Sequence, residues 1–163
     1  SLDRDVEIMS EVRCHCGCGK AVLVVAGPVM GRVRCHCTIC QSVNEGDYAD
    51  STVLMAKNVP LDRVEHVRFE TLKEPPALQR GFCRSCGGYV MAHGTIFPFP
   101  RLAFVPVARY PEDVRLPEPD MHVFYEARVA DSDDELPKYG RWPTLLSMLR
   151  ILLRPGREIT ARA

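Results

Sequence analysis

Three tight clusters of cysteine constrain this chain more than any other feature: Cys14, Cys16 and Cys18; Cys35, Cys37 and Cys40; Cys83 and Cys86. They are written CHCGC, CHCTIC and FCRSCGG. Thiols one or two residues apart can converge on one small cation, but they pair poorly as disulfides, whose Cα atoms need roughly 4.4–6.8 Å and a particular Cβ orientation. Zinc takes four such ligands at about 2.3 Å in a tetrahedron. The clusters therefore read as metal knuckles, and the fold must bring distant ones together.

The bulk properties frame that reading. A chain of 163 residues holds one domain with a real core and is short for two. Lys plus Arg and Asp plus Glu are balanced at 21 each, which argues against bulk electrostatic attraction to nucleic acid. The opening residues SLDRDVEIMS are mixed and charged, unlike a secretory signal, and no apolar run reaches the roughly 20 residues of a membrane span. Clustered thiols in this context fit zinc in a reduced compartment rather than a secreted disulfide scaffold, so a cytoplasmic location is expected.

Most regular segments read as strands. Ala21–Val25, Ser51–Met55, Val64–Phe69 and Leu102–Val107 are short and rich in β-branched or aromatic residues. Gly27-Pro28, Asn58-Val59-Pro60, Pro75-Pro76 and Gly87-Gly88 supply turn signals between them. The expected class is mainly β, an antiparallel domain built around the knuckles. From Phe97 to Pro119 the chain is proline-rich (Pro98, Pro100, Pro106, Pro111, Pro117, Pro119), which predicts edge strand and ordered loop. The acidic run Asp131–Glu135 is expected on a solvated loop. One helix is expected over Thr144–Arg154, with Pro143 in its first turn and Pro155-Gly156 as its stop. Apolar on most of its circumference, it should pack on the domain or form a homodimer contact; its arginines also suit a membrane surface.

Ligand counting divides the thiols. A closed structural zinc needs four protein ligands, whereas a catalytic one has three and an open position. Cys14, Cys16, Cys83 and Cys86 make the simplest closed set, and Cys35, Cys37 and Cys40 then form a three-thiolate site. Cys18 is left over, either as a small buried hydrophobe or as a fourth ligand that would make both metals structural. His15 and His36 lie inside C-H-C units, where alternation turns them away from the ion shared by their neighbours. His66, His93 and His122 have no ligand spacing and read as structural. Arg34 and Arg84 flank knuckles, where solvated surface positions are expected first and pairing with a substrate carboxylate is the alternative.

The ordered motifs CHCG at Cys14–Gly17, CHCxxC at Cys35–Cys40 and FCxxCG at Phe82–Gly87, with Pro119-Asp120-Met121-His122-Val123 further on, resemble the glutathione-dependent formaldehyde-activating enzyme family, which also contains centromere protein V. The resemblance runs from about Val12 to Trp142. It implies an Mss4-like β fold and two zinc ions, one structural at Cys14, Cys16, Cys83 and Cys86. The other, at Cys35, Cys37 and Cys40, would be labile or catalytic. It implies a carbon–sulfur lyase, or S-hydroxymethylglutathione synthase in the opposite direction, acting on glutathione and formaldehyde. Cys18, where the family has a small apolar residue, and Gln41-Ser42 beside the middle cluster depart from its pattern. So does the helix, which looks like an extension. The division expected is an arm over 1–10, a zinc-binding domain over 11–142, and an apolar helix with a basic tail over 143–163. A zinc-stapled binding module, with centromere protein V as precedent, or a zinc/thiol sensor are the alternatives, and the basic tail is the one feature that favours nucleic acid.

Overall fold

The computed structural model describes residues 6–73, 78–97 and 99–162. The turn signal Pro75-Pro76, Pro98 and the first half of the expected N-terminal arm lie outside the described residues. The chain is mainly β. Strands β1 (Val12–His15) and β2 (Val22–Val25) form a hairpin. The large sheet contains β3 (Gly31–Cys35), β4 (Ala49–Met55), β5 (Val67–Thr71), β6 (Gln79–Cys83), β7 (Tyr89–Thr95), β8 (Arg101–Pro106) and β10 (Met121–Val123). Its order is β10-β3-β4-β8-β7-β6-β5, antiparallel except where β10 runs parallel to β3. A short pair joins β9 (Val114–Arg115) to β11 (Thr160–Ala161), and helices α1 (Thr38–Asn44) and α2 (Leu145–Leu153) complete the chain.

Alternation along the strands sorts side chains to two faces. Leu54, Ala103 and Val105 point to one face, where the β1–β2 hairpin brings Val12, Cys14, Leu23 and Val25 against them in the main core. Val53, Leu102 and Phe104 point to the other, with Met30, Val33 and Ile151. Helix α2 lies over this second face. Thr144 caps it by accepting from the Ser147 N–H, so Pro143 stands just before the cap rather than inside the first turn. Ile151 and Leu152 pack inward, while Leu145, Leu146 and Leu153 stay exposed.

Three expectations change here. Only part of the proline-rich stretch is sheet edge: β9 belongs to a two-stranded pair, but β8 lies between β4 and β7, with Pro100 before it and Pro106 at its last position. Prolines at the ends remove no interior ladder donor. The acidic run is not simply solvated. Asp134 accepts from His122 Nε2 (2.8 Å), Ser132 Oγ (2.6 Å), Lys138 Nζ (3.1 Å) and the Leu136 N–H (3.0 Å). The basic tail is tied into the domain: Arg154 and Arg157 both reach Asp120 Oδ2, at 2.8 and 2.7 Å, and β11 returns to β9. Two arginines engaged this way are poor candidates for a free basic patch.

Candidate metal centres and the cavity beside them

The first sulfur group contains Cys16, Cys18, Cys83 and Cys86, and the second contains Cys35, Cys37 and Cys40; within each, the sulfurs lie within 4.8 Å of one another. Cys14, expected as a ligand, is absent from the first group, and Cys18 stands in its place. The cause is register. Cys14 is still inside β1, where its inward orientation buries it completely among apolar residues. Burial pushes its thiol up to about 12, the setting of an inert core residue. The knuckle begins only where the strand ends: the Gly19 N–H donates to Cys16 O (3.0 Å), and Gly19 adopts φ +81°, a turn conformation suited to glycine.

The second arm of this site repeats the device. The Gly87 N–H donates to Cys83 O (3.0 Å), with Gly87 at φ +72°. The two turns bring Cys16 and Cys18 Sγ to 3.3 Å, and Cys18 and Cys83 Sγ to 3.7 Å. Sulfurs around a tetrahedral zinc at about 2.3 Å should stand about 3.8 Å apart. Backbone N–H groups surround the sulfurs: Ala21 donates to Cys16, Ser85 and Cys86 to Cys83, and Gly88 to Cys86, at 3.4–3.5 Å. Such donors stabilise thiolate charge. Against the desolvation that would raise it, the Ala21 N–H and the neighbouring thiols of Cys18 and Cys83 draw Cys16 down to about 6. Four convergent soft donors with amide support suit zinc.

The three-sulfur group arises from one short stretch. Cys35 ends β3, Cys37 caps α1 by accepting from the Cys40 N–H (3.3 Å), and Cys40 sits in the first turn. Hydrogen bonds from Cys35 and then Cys40 draw Cys37 down to about 2, with a further contribution from the Arg80 guanidinium. Negative charge therefore concentrates on the helix-capping sulfur, a position that favours thiolate. Cys35 is pushed well up, and Cys40 to about 12. These donors also fit a soft cation, but with one ligand fewer.

Behind the sulfurs, the loop is fixed by buried polar contacts. His36 points away from the cysteines, as expected, and is buried: its Nε2 meets His122 Nδ1 at 2.8 Å. His122, fully buried, continues the chain to Asp134. Gln41 Nε2 donates to His36 O (2.7 Å) and Ala127 O (2.9 Å), so the glutamine beside the middle cluster acts as a clamp. Of the other histidines, His15 is exposed beside the knuckle, His66 Nε2 meets Ser85 Oγ (2.6 Å), and His93 is buried beside Arg101.

In front of the sulfurs lies a cavity of about 610 Å³ on the second face of the sheet. Cys35, Cys37 and Cys40 form part of its wall, with Arg80 and Tyr89 nearby. Arg34 does not reach it. One residue along β3 from Cys35, it projects to the opposite side of the strand, near Asp50 (3.6 Å) and Asp134 (3.4 Å). Arg84 is exposed on the other knuckle and does not line the cavity. Arg80 and Tyr89 are the functional candidates that sequence spacing missed. Their only signal is even-numbered alternation with Phe82 on one strand and adjacency to Gly88 on the next.

A family profile described as glutathione-dependent formaldehyde-activating enzyme matches residues 11–127. The chain belongs to that family. Among curated proteins, no relative matches the sequence. The matched span contains both sulfur groups and most of the cavity wall, but ends before α2. The family description fits the geometry at the level of chemistry: soft donors facing a cavity are suited to handling a thiol. Among the described residues, no helix is long and apolar enough to cross a membrane.

Proposed function

We infer that the chain joins a low-molecular-weight thiol, glutathione in the family's description, to formaldehyde or a similarly small aldehyde, and catalyses the reverse cleavage. In this reading Cys16, Cys18, Cys83 and Cys86 hold a structural zinc, and Cys35, Cys37 and Cys40 hold a second. The observation that carries it is the placement of three sulfurs, and no fourth among the described residues, on the wall of the cavity. Zinc bound there would keep an incoming thiol deprotonated.

The chain's own residues supply the rest. Three thiolates give the site a formal charge of −1 with a divalent ion, which favours a soft sulfur ligand over ionisation of water. The cavity holds the thiol against the aldehyde and limits competing water. A carbon–sulfur bond forms as the carbonyl π bond opens, and the aldehyde oxygen takes up a proton, equal in number to the one the thiol gives up. Tyr89 lies on the same wall, and burial, followed by the nearby Cys40 sulfur, keeps its hydroxyl protonated well above the usual phenol range. It is the donor suited to that oxygen. The reverse sequence breaks the carbon–sulfur bond, which is lyase chemistry.

The test is Cys37→Ser, with metal content and turnover measured on the same sample. The variant should stay folded, lose one of two zinc ions, and lose thiol-dependent consumption of formaldehyde. Unchanged turnover with one zinc missing would remove the catalytic assignment.

A further inference from the structure

The cavity has two ends of different chemistry. Alternation along β3 puts Gly31, Val33 and Cys35 on one face, with Gly31 opposite Val53 and Cys35 opposite Ala49. At about 3.3 Å per residue, Gly31 and Cys35 stand roughly 13 Å apart along the strand. Cys35 marks the sulfur end. Gly31 marks the helix end, where α2 presses so close that an added Cβ would meet Ile151 Cγ2 at 3.2 Å. Between them the wall is Val33 and its β10 partner, Met121. Met30, Val53, Leu102 and Phe104 form the floor under the helix, and Met148 and Ile151 supply its roof.

This roof is anchored. Arg154 donates to Met30 O (2.9 Å) and Asp120 Oδ2 (2.8 Å), and Arg157 donates to the same carboxylate oxygen at 2.7 Å. The family match ends at residue 127, so every roof residue comes from beyond the matched span. None of the six side chains under or on the helix is charged. The charged lining residues lie elsewhere: Arg80 in the field of the Cys37 and Cys40 sulfurs, Lys73 exposed, and Arg141 paired with Glu126 at 2.7 Å. Those groups suit the carboxylates and ammonium of glutathione. Formaldehyde has no substituent to cover the apolar end, and apolar wall is rewarded only when an apolar group lies against it.

Resting on the thiol–aldehyde reading above, we propose that the chain also joins glutathione to aldehydes that carry an apolar chain. That chain lies between Val53 and Phe104 below and Met148 and Ile151 above. The thiol sulfur bonds to the carbonyl carbon, the π pair moves to oxygen, and the oxygen takes up one proton as the thiol gives one up. No electron is gained or lost. The two arms of the adduct then part at the sulfur: the tripeptide stays among the charged side chains, and the hydrocarbon runs toward α2. The cavity, at about 610 Å³, is within the usual range for small-molecule sites, roughly 300–1,000 Å³.

Calorimetric titration of the zinc-loaded full chain with S-methylglutathione and S-hexylglutathione isolates the hydrocarbon arm, because both probes share the tripeptide and a thioether sulfur. S-hexylglutathione should bind at least about tenfold more tightly, as expected for partial burial of five methylenes. Met148→Asn should shrink that advantage to about twofold, and Met148→Leu should keep it. The wild type should also speed glutathione-dependent consumption of hexanal above the uncatalysed rate. Equal binding of the two probes to the wild type would overturn the apolar subsite. An advantage that survives in Met148→Asn with zinc content intact would overturn its placement under α2. Consumption of formaldehyde but not of hexanal would overturn the added activity. If neither aldehyde is consumed, the thiol–aldehyde reading fails, and the two probes still decide the subsite.

Discussion

The two sulfur groups are made from the same residue type in opposite ways. Cys16 and Cys18 come from the turn after β1, and Cys83 and Cys86 from the turn between β6 and β7, so the group joins a separate hairpin to the large sheet. Each arm carries a left-handed glycine, and amide N–H groups surround the sulfurs. Cys35, Cys37 and Cys40 come from one strand end and the helix it runs into. The first group gathers sulfurs from the two ends of a long loop, an arrangement in which bound metal would contribute to folding. The second is held by its own neighbours and opens onto a cavity. In the proposed function the long-range sulfurs serve as a staple and the local sulfurs as a site.

The strongest way to break the comparison is to remove one sulfur from the staple. Cys18→Ser should cost on the order of 5 kcal/mol or prevent folding, because metal binding there closes a long loop; circular dichroism melts with metal analysis would read it. A variant that melts like the wild type would make the two groups equivalent. Graded chelation sharpens the same contrast. The three-sulfur group should release its metal first, with complete loss of thiol-dependent activity while the far-ultraviolet spectrum is unchanged. Tyr89→Phe should lower turnover by about 10²-fold with zinc content intact, the usual scale for one positioned proton donor.

Smaller effects belong to the supports. Asp134→Asn should destabilise by about 1–2 kcal/mol, because fully buried His122 loses its charged acceptor. Hydrogen bonds from Ser132 and His122, among others, overcome desolvation and hold the Asp134 carboxyl well below the usual range. The unfolded chain therefore binds the proton more readily, and stability from this group is present above about pH 4 and lost as pH falls further. Denaturant midpoints between pH 7 and pH 3 should fall less in the variant than in the wild type. Cys14→Ala should be the mildest, at about 1 kcal/mol with both metals retained. Loss of a zinc ion in that variant would return Cys14 to the ligand set.

The main β character, the helix at the C-terminal end and the grouping of Cys35, Cys37 and Cys40 were legible because each rests on local spacing. Leu145–Leu153 lies inside the expected helix, and Ser51–Met55 and Leu102–Val107 differ from the observed strands by no more than two residues at an end. The choice between Cys14 and Cys18 was not legible. CHCGC offers two overlapping C-x-C units, and only the end of β1 decides which one turns. The short helix after Cys37 was missed because its seven residues carry little apolar periodicity and its cap is a cysteine. Arg80 and Tyr89 were invisible for a different reason: they reach the cavity through pairing of β6 and β7, and no spacing along the chain encodes it.

The displaced thiol has a use of its own. Cys14 is sealed inside the hairpin core, and the burial that pushes its thiol up sets it apart from the seven sulfurs of the two groups. Alkylating reagents should therefore label this protein on two clocks. Seven thiols would respond to metal release, while the eighth would respond only when β1 parts from β2. The rate at which Cys14 is modified would time the opening of the core itself, in the same tube and independently of the state of either metal.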